Sequence, residues 1–179
     1  MNARNNFEKY TERLFLRPLR RDDLDEYYEI MKKDEVCVWL GGGRGKTYEE
    51  VELLIATDLK QWQEKGYGIW GVIHRKTGKL LGHCGLGFLN KTGEVEILYA
   101  FDPQYWGYGF ATESAIVALN YAFEEAKLER IVALAKPDNK RSINVINKLG
   151  LKPIGVKEYF GLQLECFIMT RDNRINTQN

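Results

Sequence analysis

The sequence of 179 residues contains few of the residues that build disulfide frameworks or metal sites. Its three cysteines, Cys37, Cys84 and Cys166, are odd in number and widely spaced, which argues against a disulfide framework. No Cys-x-x-Cys occurs, and the only histidines, His74 and His83, are nine positions apart on neighbouring predicted strands. Because zinc ligands usually come in closer pairs, the sequence predicts neither a metal site nor a disulfide.

The chain also lacks an excess of charge and a long apolar run. Lys and Arg number 26 against 25 Asp and Glu, so the formal net charge is +1 and no overall field favours nucleic acid or an acidic membrane. No apolar run approaches the ~20 residues of a membrane-spanning helix, and residues 1–6 contain no apolar signal region. We therefore expect a cytoplasmic protein that binds neither nucleic acid nor a membrane.

The sequence does contain enough apolar residues for one substantial core. Hydrophobic residues make up 44% of the chain and aromatic residues 12%, which fits a single domain over residues 1–172. Residues 173–179 are polar and are expected to form a frayed tail.

The periodicity of apolar residues predicts the order of the secondary structure. After an opening strand come two amphipathic helices, an antiparallel meander, and then alternating helices and strands. The expected fold class is α/β (α+β), a mixed, mostly antiparallel twisted sheet of about seven strands with helices on both faces. The predicted ranges are helices 22–33 and 48–64, strands 67–74, 80–88 and 94–101, helix 111–126, strand 130–135, helix 142–148, and strands 155–159 and 164–170.

The most informative segment is a glycine-rich turn between a strand and a helix. Residues 93–101 alternate as a strand that ends at Asp102-Pro103, and alanines recur at helical spacing after Gly109. Gly107 and Gly109 let the main chain approach a ligand closely, and the first helical turn presents N–H groups that have no partner inside the helix. Together with the helix dipole, these groups predict a phosphate or pyrophosphate site, although a tight turn into a helix is the simpler interpretation.

Two other phosphate-binding patterns fit less well. A dinucleotide fingerprint requires Gly-x-Gly-x-x-Gly, but Ala-Thr at 111–112 replaces the third glycine. The segment Gly41–Thr47 approaches the nucleotide-triphosphate pattern with three spacer residues where four are required, and no buried strand leads into it. We interpret it as a loop that ends at Thr47, an N-cap with Glu50 three residues later.

Four ordered motifs together resemble the GNAT acyltransferase superfamily, and in particular the Rim-type group that acetylates ribosomal-protein N-termini. The turn has the Gln-x-x-Gly-x-Gly-x-Ala pattern of the family's acetyl-CoA pyrophosphate loop, and the resemblance extends over almost the whole chain. Four motifs in one order are much harder to obtain by chance than one. They are Thr11-Glu12-Arg13-Leu14-Phe15-Leu16-Arg17-Pro18-Leu19, Gln104-Tyr105-Trp106-Gly107-Tyr108-Gly109-Phe110-Ala111-Thr112-Glu113, Asn139-Lys140-Arg141-Ser142 and Lys148-Leu149-Gly150-Leu151.

The resemblance implies a GNAT-like sheet that binds acetyl-CoA as cosubstrate and uses no metal. In the family two strands, here 95–101 and 130–135, splay apart, and the pantetheine arm lies between them like an added strand. The acetyl oxygen there commonly meets a main-chain N–H of the first strand. The cofactor-binding residues implied are Leu98, Ala100, Phe101, Gln104, Trp106, Gly107, Tyr108, Gly109, Phe110, Ala111, Asn139 and Ser142.

Acetyl transfer to an amine requires a base, and two acidic residues share one face of a predicted strand. Glu94 and Glu96 are two positions apart, and paired acids can raise each other's pKa when they are buried. One carboxylate acting through water could suffice for an α-amine, whose pKa of about 7.7 to 8.0 lies below the ~10.4 of lysine. A solvated face is the alternative interpretation, and the resemblance adds Glu158 as a rival base.

The group that assists the departing thiolate is where the sequence departs from many GNAT enzymes. Those enzymes carry a tyrosine seven residues after the asparagine that corresponds to Asn139, and here that position is Ile146. Ser142 matches the serine of the ribosomal-protein group, which implies a hydrogen bond to the sulfur, although Ser142 could equally be a helix cap. Tyr99 and Trp106 are interpreted as packing residues.

We therefore expect an acetyl-CoA-dependent N-acetyltransferase that works by direct attack in a ternary complex, most like enzymes acting on protein N-terminal amines. Two alternatives stay open, namely transfer to a polyamine, aminoglycoside or amino acid, and a non-catalytic acetyl-CoA-binding module. Acid-rich acceptor walls would favour the polyamine. Both a monomer and a homodimer are compatible with the sequence. The candidate catalytic residues are Glu96, Ser142, Glu94 and Glu158.

Overall fold

The computed structural model describes residues 7–40 and 42–175, and its strands belong to one eight-stranded sheet. The sheet confirms the predicted fold class, and the strand beyond the expected seven is a two-residue strand near the start of the chain. The strands are β1 (Lys9–Tyr10), β2 (Leu14–Pro18), β3 (Ile69–His74), β4 (Leu80–Leu89), β5 (Glu94–Phe101), β6 (Arg130–Ala135), β7 (Lys152–Tyr159) and β8 (Leu162–Thr170).

Helices connect these strands and lie on both faces of the sheet. The third helix begins as predicted, because the Thr47 hydroxyl accepts from the Glu50 amide at 3.3 Å and the Glu50 carboxylate accepts from the Thr47 amide at 2.8 Å. Gly41, in the preceding loop, lies outside the described residues. The helices are α1 (Leu24–Met31), α2 (Asp34–Cys37), α3 (Tyr48–Lys65), α4 (Phe110–Asn120), α5 (Lys140–Lys148) and α6 (Arg171–Ile175).

The sheet contains one parallel neighbour pair, β5 and β6, and this pair is joined at a single position. The strand order is β1-β2-β3-β4-β5-β6-β8-β7, and the other neighbours are antiparallel. The β5–β6 register consists of Glu96 opposite Val132, whereas β4 and β5 pair over eight positions from Gly82–Phe101 to Leu89–Glu94. The carboxyl ends of β5 and β6 are therefore open toward each other, and we call this opening the fork.

Two apolar cores form because side chains alternate between the faces of the strands. On one face, α1 and α3 bury Tyr27, Met31 and Ile55 with Ala100 of β5. On the other face, α4 and α5 bury their apolar sides against residues such as Trp70, Val72 and Ile97. Glu96 lies on the α1/α3 face, because it is an even number of residues from Ala100.

Several segments differ from the predicted ranges, and β7, for example, begins at Lys152 instead of residue 155. Residues 36–40, for which no element was predicted, begin inside α2, and Val36 and Cys37 are buried. Helix α4 ends earlier than predicted and continues as a wider turn, Tyr121–Glu125, in which the Ala126 amide donates to the Tyr121 carbonyl. The polar segment expected to fray begins within α6, and residues 176–179 lie outside the described residues.

Candidate functional site

A cavity of about 1090 Å³ runs through the fork and continues over the α1/α3 face of the sheet. Both strands of the fork line it, β5 with residues 96–101 and β6 with Leu134 and Ala135. We call the part bounded by α4 and α5 the cofactor side, and the part bounded by α1, α3 and the β7–β8 hairpin the acceptor side.

The cofactor side contains the glycine-rich turn that precedes α4. Gly107 has φ +85° and Gly109, the N-cap residue of α4, has φ +81°, a left-handed conformation that favours glycine. The first intrahelical bond is donated by Glu113 to the Gly109 carbonyl, so the amides of residues 110–112 point out of the helix without an intrahelical acceptor. This arrangement suits an anion such as a pyrophosphate.

An arginine from the start of the chain holds this turn in place. Arg13 donates through Nη1 to the Tyr108 carbonyl oxygen at 2.9 Å and through Nε to the Glu113 carboxylate at 2.7 Å. Its guanidinium also lies 4.6 Å from the centre of the Phe110 ring. Residues before β2 thus fix the conformation of the loop that follows β5.

Four cationic side chains line the cofactor side of the cavity. They come from the end of β6 and from α5, and Arg141 stacks over the Trp106 ring at 4.6 Å from its centre. Cations beside free helix N–H groups complete an environment for a phosphorylated ligand. The four are Lys136, Lys140, Arg141 and Lys148.

Most of the residues predicted to bind the cofactor lie along this cavity. Gln104 and Tyr108 do not line it; Tyr108 is 61% exposed, and its ring stacks on Phe110. The fit to acetyl-CoA rests on the open fork, the free amides and the cations, which match an extended arm followed by phosphates. The predicted residues that line the cavity are Leu98, Ala100, Phe101, Trp106, Gly107, Gly109, Phe110, Ala111, Asn139 and Ser142.

Of the three acids proposed as the base, Glu96 lines the cavity. It lies at the closed end of the fork, where it pairs with Val132. Burial raises the pKa of its carboxyl from 4.5 to about 8, because the charged form has lost much of its hydration. A carboxyl with that pKa can exchange protons with an amine near neutral pH.

The other two acids lie away from the cavity. Glu94 accepts a hydrogen bond from the Tyr159 hydroxyl at 2.7 Å, and Arg130 approaches it at 3.8 Å. Glu158 is exposed on β7, opposite Gln163. Glu94 and Glu96 share a face of β5, but Glu94 lies before the fork and does not line the cavity.

On the face of β5 opposite to Glu96, Tyr99 lies beside Ser142, although the sequence had assigned Tyr99 to packing. The Tyr99 hydroxyl is 3.0 Å from Ser142 Oγ, and both residues line the cavity. Burial raises the pKa of Tyr99, so its hydroxyl is protonated at neutral pH. The N-cap of α5 is Asn139, whose Oδ1 accepts from the Ser142 amide at 3.1 Å, and Ile146, at the family's tyrosine position, is 1% exposed.

The acceptor side contains three polar residues that the sequence interpretation also missed. Tyr27, Asp58 and His83 line the cavity and are buried within a largely apolar wall. Asp58 follows Leu54 and precedes Trp62 at intervals of four residues, so it occupies the apolar stripe of α3. An acidic residue inside such a stripe was the signal that could have identified it. Two further charged residues on this side are Glu35 and Lys46.

The cysteines are remote from this chemistry. Cys37, Cys84 and Cys166 are free and buried, and none of them lines the cavity. Burial raises the pKa of the Cys84 thiol to about 12, so almost none of it is thiolate at neutral pH. Within residues 7–40 and 42–175, no group of three or more His, Cys, Asp or Glu side chains is placed to hold a metal ion, and no helix is long and apolar enough to cross a membrane.

Comparison with known proteins gives a consistent result. Residues 13–152 match the acetyltransferase (GNAT) domain. YkkB of Bacillus subtilis is 34% identical over 176 residues, which cover 88% of this chain and 97% of the relative. YoaA of the same organism, described as an N-acetyltransferase, is 31% identical over 86% of this chain and 87% of its own. The spermidine N(1)-acetyltransferase of Escherichia coli is 24% identical over 81% of this chain and 77% of its own.

Solved structures share the fold. An acetyltransferase from Agrobacterium tumefaciens superposes with a TM-score of 0.81 at 24% identity, covering 90% of this chain and 93% of that one. RimL, described as a ribosomal L7/L12 α-N-protein acetyltransferase in complex with coenzyme A, superposes with a TM-score of 0.73 at 18% identity. That match covers 92% of this chain and 98% of RimL.

Proposed function

Because the chain belongs to the GNAT family of acetyl-CoA-dependent N-acetyltransferases, we propose that its acceptor is the α-amine of a protein or peptide N-terminus. Bound acetyl-CoA supplies an activated acetyl group and a thiolate leaving group. The residues proposed to hold it are the predicted cofactor-binding residues along the fork and the four cations beyond them. The protein's own task is then to deprotonate the amine and to stabilise the charge that develops on sulfur.

The observation that carries this proposal is Glu96 at the closed end of the fork. Its pKa of about 8 matches the value of about 7.7 to 8.0 for an α-amine, so proton transfer between them costs little. A lysine or polyamine nitrogen with a pKa near 10.4 is about 2.4 units less acidic, which corresponds to roughly 3.3 kcal/mol. Glu96 is therefore proposed as the general base, acting directly or through one water molecule.

On the other wall, Ser142 and Tyr99 are proposed to assist the leaving group. The two hydroxyls lie 3.0 Å apart and either can donate to the other, while the Tyr99 hydroxyl also lies 3.2 Å from the Ser142 carbonyl oxygen. One of the two hydroxyl protons is proposed to be donated to the sulfur. Tyr99 thus supplies the phenol that the sequence lacks at Ile146. Attack on the thioester is proposed to be direct, because no cysteine lines the cavity and the Cys84 thiol is buried and protonated.

Removing either hydroxyl of this pair should slow transfer. Ser142→Ala and Tyr99→Phe are each expected to lower kcat by about 10-fold, the value of one hydrogen bond to a charged group. Because the two hydroxyls act as one unit, the double variant should be about as slow as either single variant. Thiol release measured at saturating substrates tests this.

The matched control is Tyr10→Phe, which removes an exposed hydroxyl outside the cavity and should leave kcat unchanged. Two fully additive losses would contradict a shared role for Tyr99 and Ser142.

The acceptor proposal is tested by acetyl-CoA-dependent thiol release with a panel of amines. Peptides beginning with Ala, Ser or Met are expected to be acetylated, whereas a peptide with a blocked N-terminus and an internal lysine should react at least about 10-fold more slowly. Spermidine, an aminoglycoside and free amino acids complete the panel. Selective release with the small amines alone would overturn the N-terminal proposal and leave the family assignment intact.

A small cationic amine is a second candidate, and the composition of the acceptor side favours it. Three acidic residues, Glu35, Asp58 and Glu96, line this part of the cavity, against the one cation Lys46. A relative that is named for spermidine acetylation matches most of the chain. The panel separates this candidate from the first, because spermidine would then be acetylated faster than every peptide.

The remaining parts of the proposal concern organisation. Residues 1–172 are proposed to form a single acetyltransferase domain, since the one sheet extends through it, although residues 1–6 lie outside the described part. A cytoplasmic location is supported by the three free thiols, which are typical of a reducing compartment. The protein is proposed to act as a monomer or homodimer, without nucleic acid or membrane as partner.

A further inference from the structure

A cluster of polar side chains lies within the apolar wall of the acceptor side and takes no part in the chemistry above. It consists of Tyr27 of α1, Asp58 of α3 and His83 of β4, and we call it the Asp58 pocket. The Tyr27 hydroxyl is 2.8 Å from His83 Nδ1, and all three residues line the same cavity as Glu96. Tyr27 and His83 satisfy each other, and a polar group in such a wall that is left unsatisfied is a candidate for binding a ligand.

One oxygen of Asp58 is left without a partner. The residue is 6% exposed, and its Oδ1 accepts from the Ile69 amide at 2.7 Å. Its Oδ2 is buried and has no hydrogen-bond partner among the described residues, since the nearby Trp62 indole donates to the Ile69 carbonyl oxygen at 3.0 Å. A buried carboxylate oxygen without a hydrogen-bond partner bears the full cost of its lost hydration, and a donor from a ligand would remove that cost.

The other groups of the pocket favour a cationic donor. Burial lowers the pKa of His83 to about 4, so the imidazole is neutral and does not repel a cation. Burial also raises the pKa of Asp58 to about 7, and a bound cation would reverse that rise by favouring the ionised form. An ammonium has three donors, enough for a carboxylate oxygen of Asp58 and for further acceptors in the pocket.

The distance between the Asp58 pocket and Glu96 sets the length of the acceptor. Ile69 pairs with Gly85, and Gly85 pairs with Leu98, two residues from Glu96 on the same face. Two strand spacings of about 4.8 Å and a two-residue offset of about 6.6 Å along the strands therefore separate Asp58 from Glu96, which places the two carboxyls on the order of 12 Å apart.

We propose that the Asp58 pocket binds a second ammonium group of the acceptor, five carbon atoms away from the amine that is acetylated. This inference rests on the proposed function and extends it. Six bonds of about 1.5 Å give an extended span of roughly 7 Å between the nitrogens, and a hydrogen bond at each end completes the distance. A peptide that begins with lysine and the diamine 1,5-diaminopentane carry this chemistry.

The test compares acceptors that differ only in the second charge. A peptide beginning with lysine is paired with the same peptide beginning with norleucine, and 1,5-diaminopentane is paired with pentylamine. The wild-type protein is expected to prefer the charged member by about 10-fold in kcat/KM. Fragmentation of the product in a mass spectrometer should place the acetyl group on the α-nitrogen of the lysine peptide. The peptide pair and the diamine pair distinguish the two sources of the ammonium.

Asp58→Asn removes the charge and keeps an Oδ1 for the Ile69 amide. It is expected to bring the lysine-to-norleucine ratio close to one. Glu52→Gln, the matched control, removes a negative charge from an exposed position of the same helix outside the cavity and should preserve the ratio. No preference in the wild type, or a preference that Asp58→Asn leaves intact, would overturn the inference.

Calorimetric titration of 1,5-diaminopentane and pentylamine separates this inference from the proposed function, because it needs no turnover. Diamine binding that Asp58→Asn abolishes, together with silence of every N-terminal peptide, would refute the α-amine proposal and keep the pocket. Acetylation of N-terminal peptides with diamine binding that does not depend on Asp58 would refute the pocket alone.

Discussion

Replacing Glu96 by glutamine is expected to lower kcat for an N-terminal peptide by roughly 100-fold or more, the usual contribution of a general base. The amide has almost the same shape, so acetyl-CoA affinity should change little. Steady-state kinetics and calorimetry on one preparation separate the two effects. Glu94→Gln is the matched control, because Glu94 shares the strand face but lies outside the cavity and accepts from Tyr159. Equal losses in both variants would contradict the assignment of the base.

The pH profile gives a second measure of the same residue. Only the ionised form of Glu96 accepts a proton, and its pKa is about 8, so kcat should rise by about 10-fold between pH 7 and 9. An acceptor whose amine pKa is below about 7 removes the acceptor's own titration from the profile. With that acceptor, Glu96→Gln should show no such rise.

The stability of the protein should respond to pH in the opposite sense. Because the folded pKa of Glu96 is raised, the native state holds a proton that the unfolded chain releases from about pH 4.5 upward. This residue therefore stabilises least at high pH, and its contribution falls as the pH rises from about 4.5 through about 8. Thermal unfolding measured at pH 6 and pH 9 should show that the stability of Glu96→Gln relative to wild type is greater at pH 9 than at pH 6.

Placing a glutamate at Gly109 is expected to weaken acetyl-CoA binding by at least about 100-fold. The new carboxylate would lie at the N-terminus of α4, where the free amides are proposed to hold phosphates, and like charges a few ångströms apart repel by up to about 4 kcal/mol near a protein surface. Calorimetric titration of acetyl-CoA measures the loss.

Strain must be separated from this charge effect, since Gly109 has φ +81°. Gly78, in the β3–β4 turn, has φ +70°, and a side chain at this position would extend into open space. Gly78→Glu therefore costs similar backbone strain far from the cavity. Both variants should lose similar thermal stability, and Gly109→Glu alone should lose the cofactor. Equal acetyl-CoA affinity in the two variants would contradict the proposal that the N-terminus of α4 binds the pyrophosphate.

Local sequence patterns were sufficient for most of the elements, and they picked out residues that line the cofactor side of the cavity. The strand, glycine turn and helix around Gly107 and Gly109 are contiguous, and so are Asn139 and Ser142 at the start of α5. In such segments the residues that meet in space are also neighbours in sequence, and periodicity or turn chemistry identifies them. For the same reason, the sequence predicts the bounds of α3 and β6 to within one residue.

The acceptor side could not be predicted in this way, because packing brings its residues together from distant elements. Tyr27, Asp58 and His83 come from two helices and a strand, and the tilt of α1 and α3 over the sheet decides that they meet. Tyr99 was assigned to packing, since a strand pattern does not show that its hydroxyl reaches Ser142 across the fork. Asn139, rather than Ser142, caps α5, and a cap is decided by backbone geometry at the helix end.

Because β5 and β6 pair at a single position, the protein has unpaired strand edges in the middle of its sheet. Exposed edges invite pairing with other chains and lead to aggregation, which proteins usually counter with charges, bulges or short strands. Here the two open edges face each other across a gap flanked by helices, so a foreign strand cannot approach either one from outside. The same geometry admits a thin, flexible chain with its own hydrogen-bonding groups. The unpaired edges that would promote aggregation in another sheet therefore favour, in this one, the binding of a narrow, extended ligand.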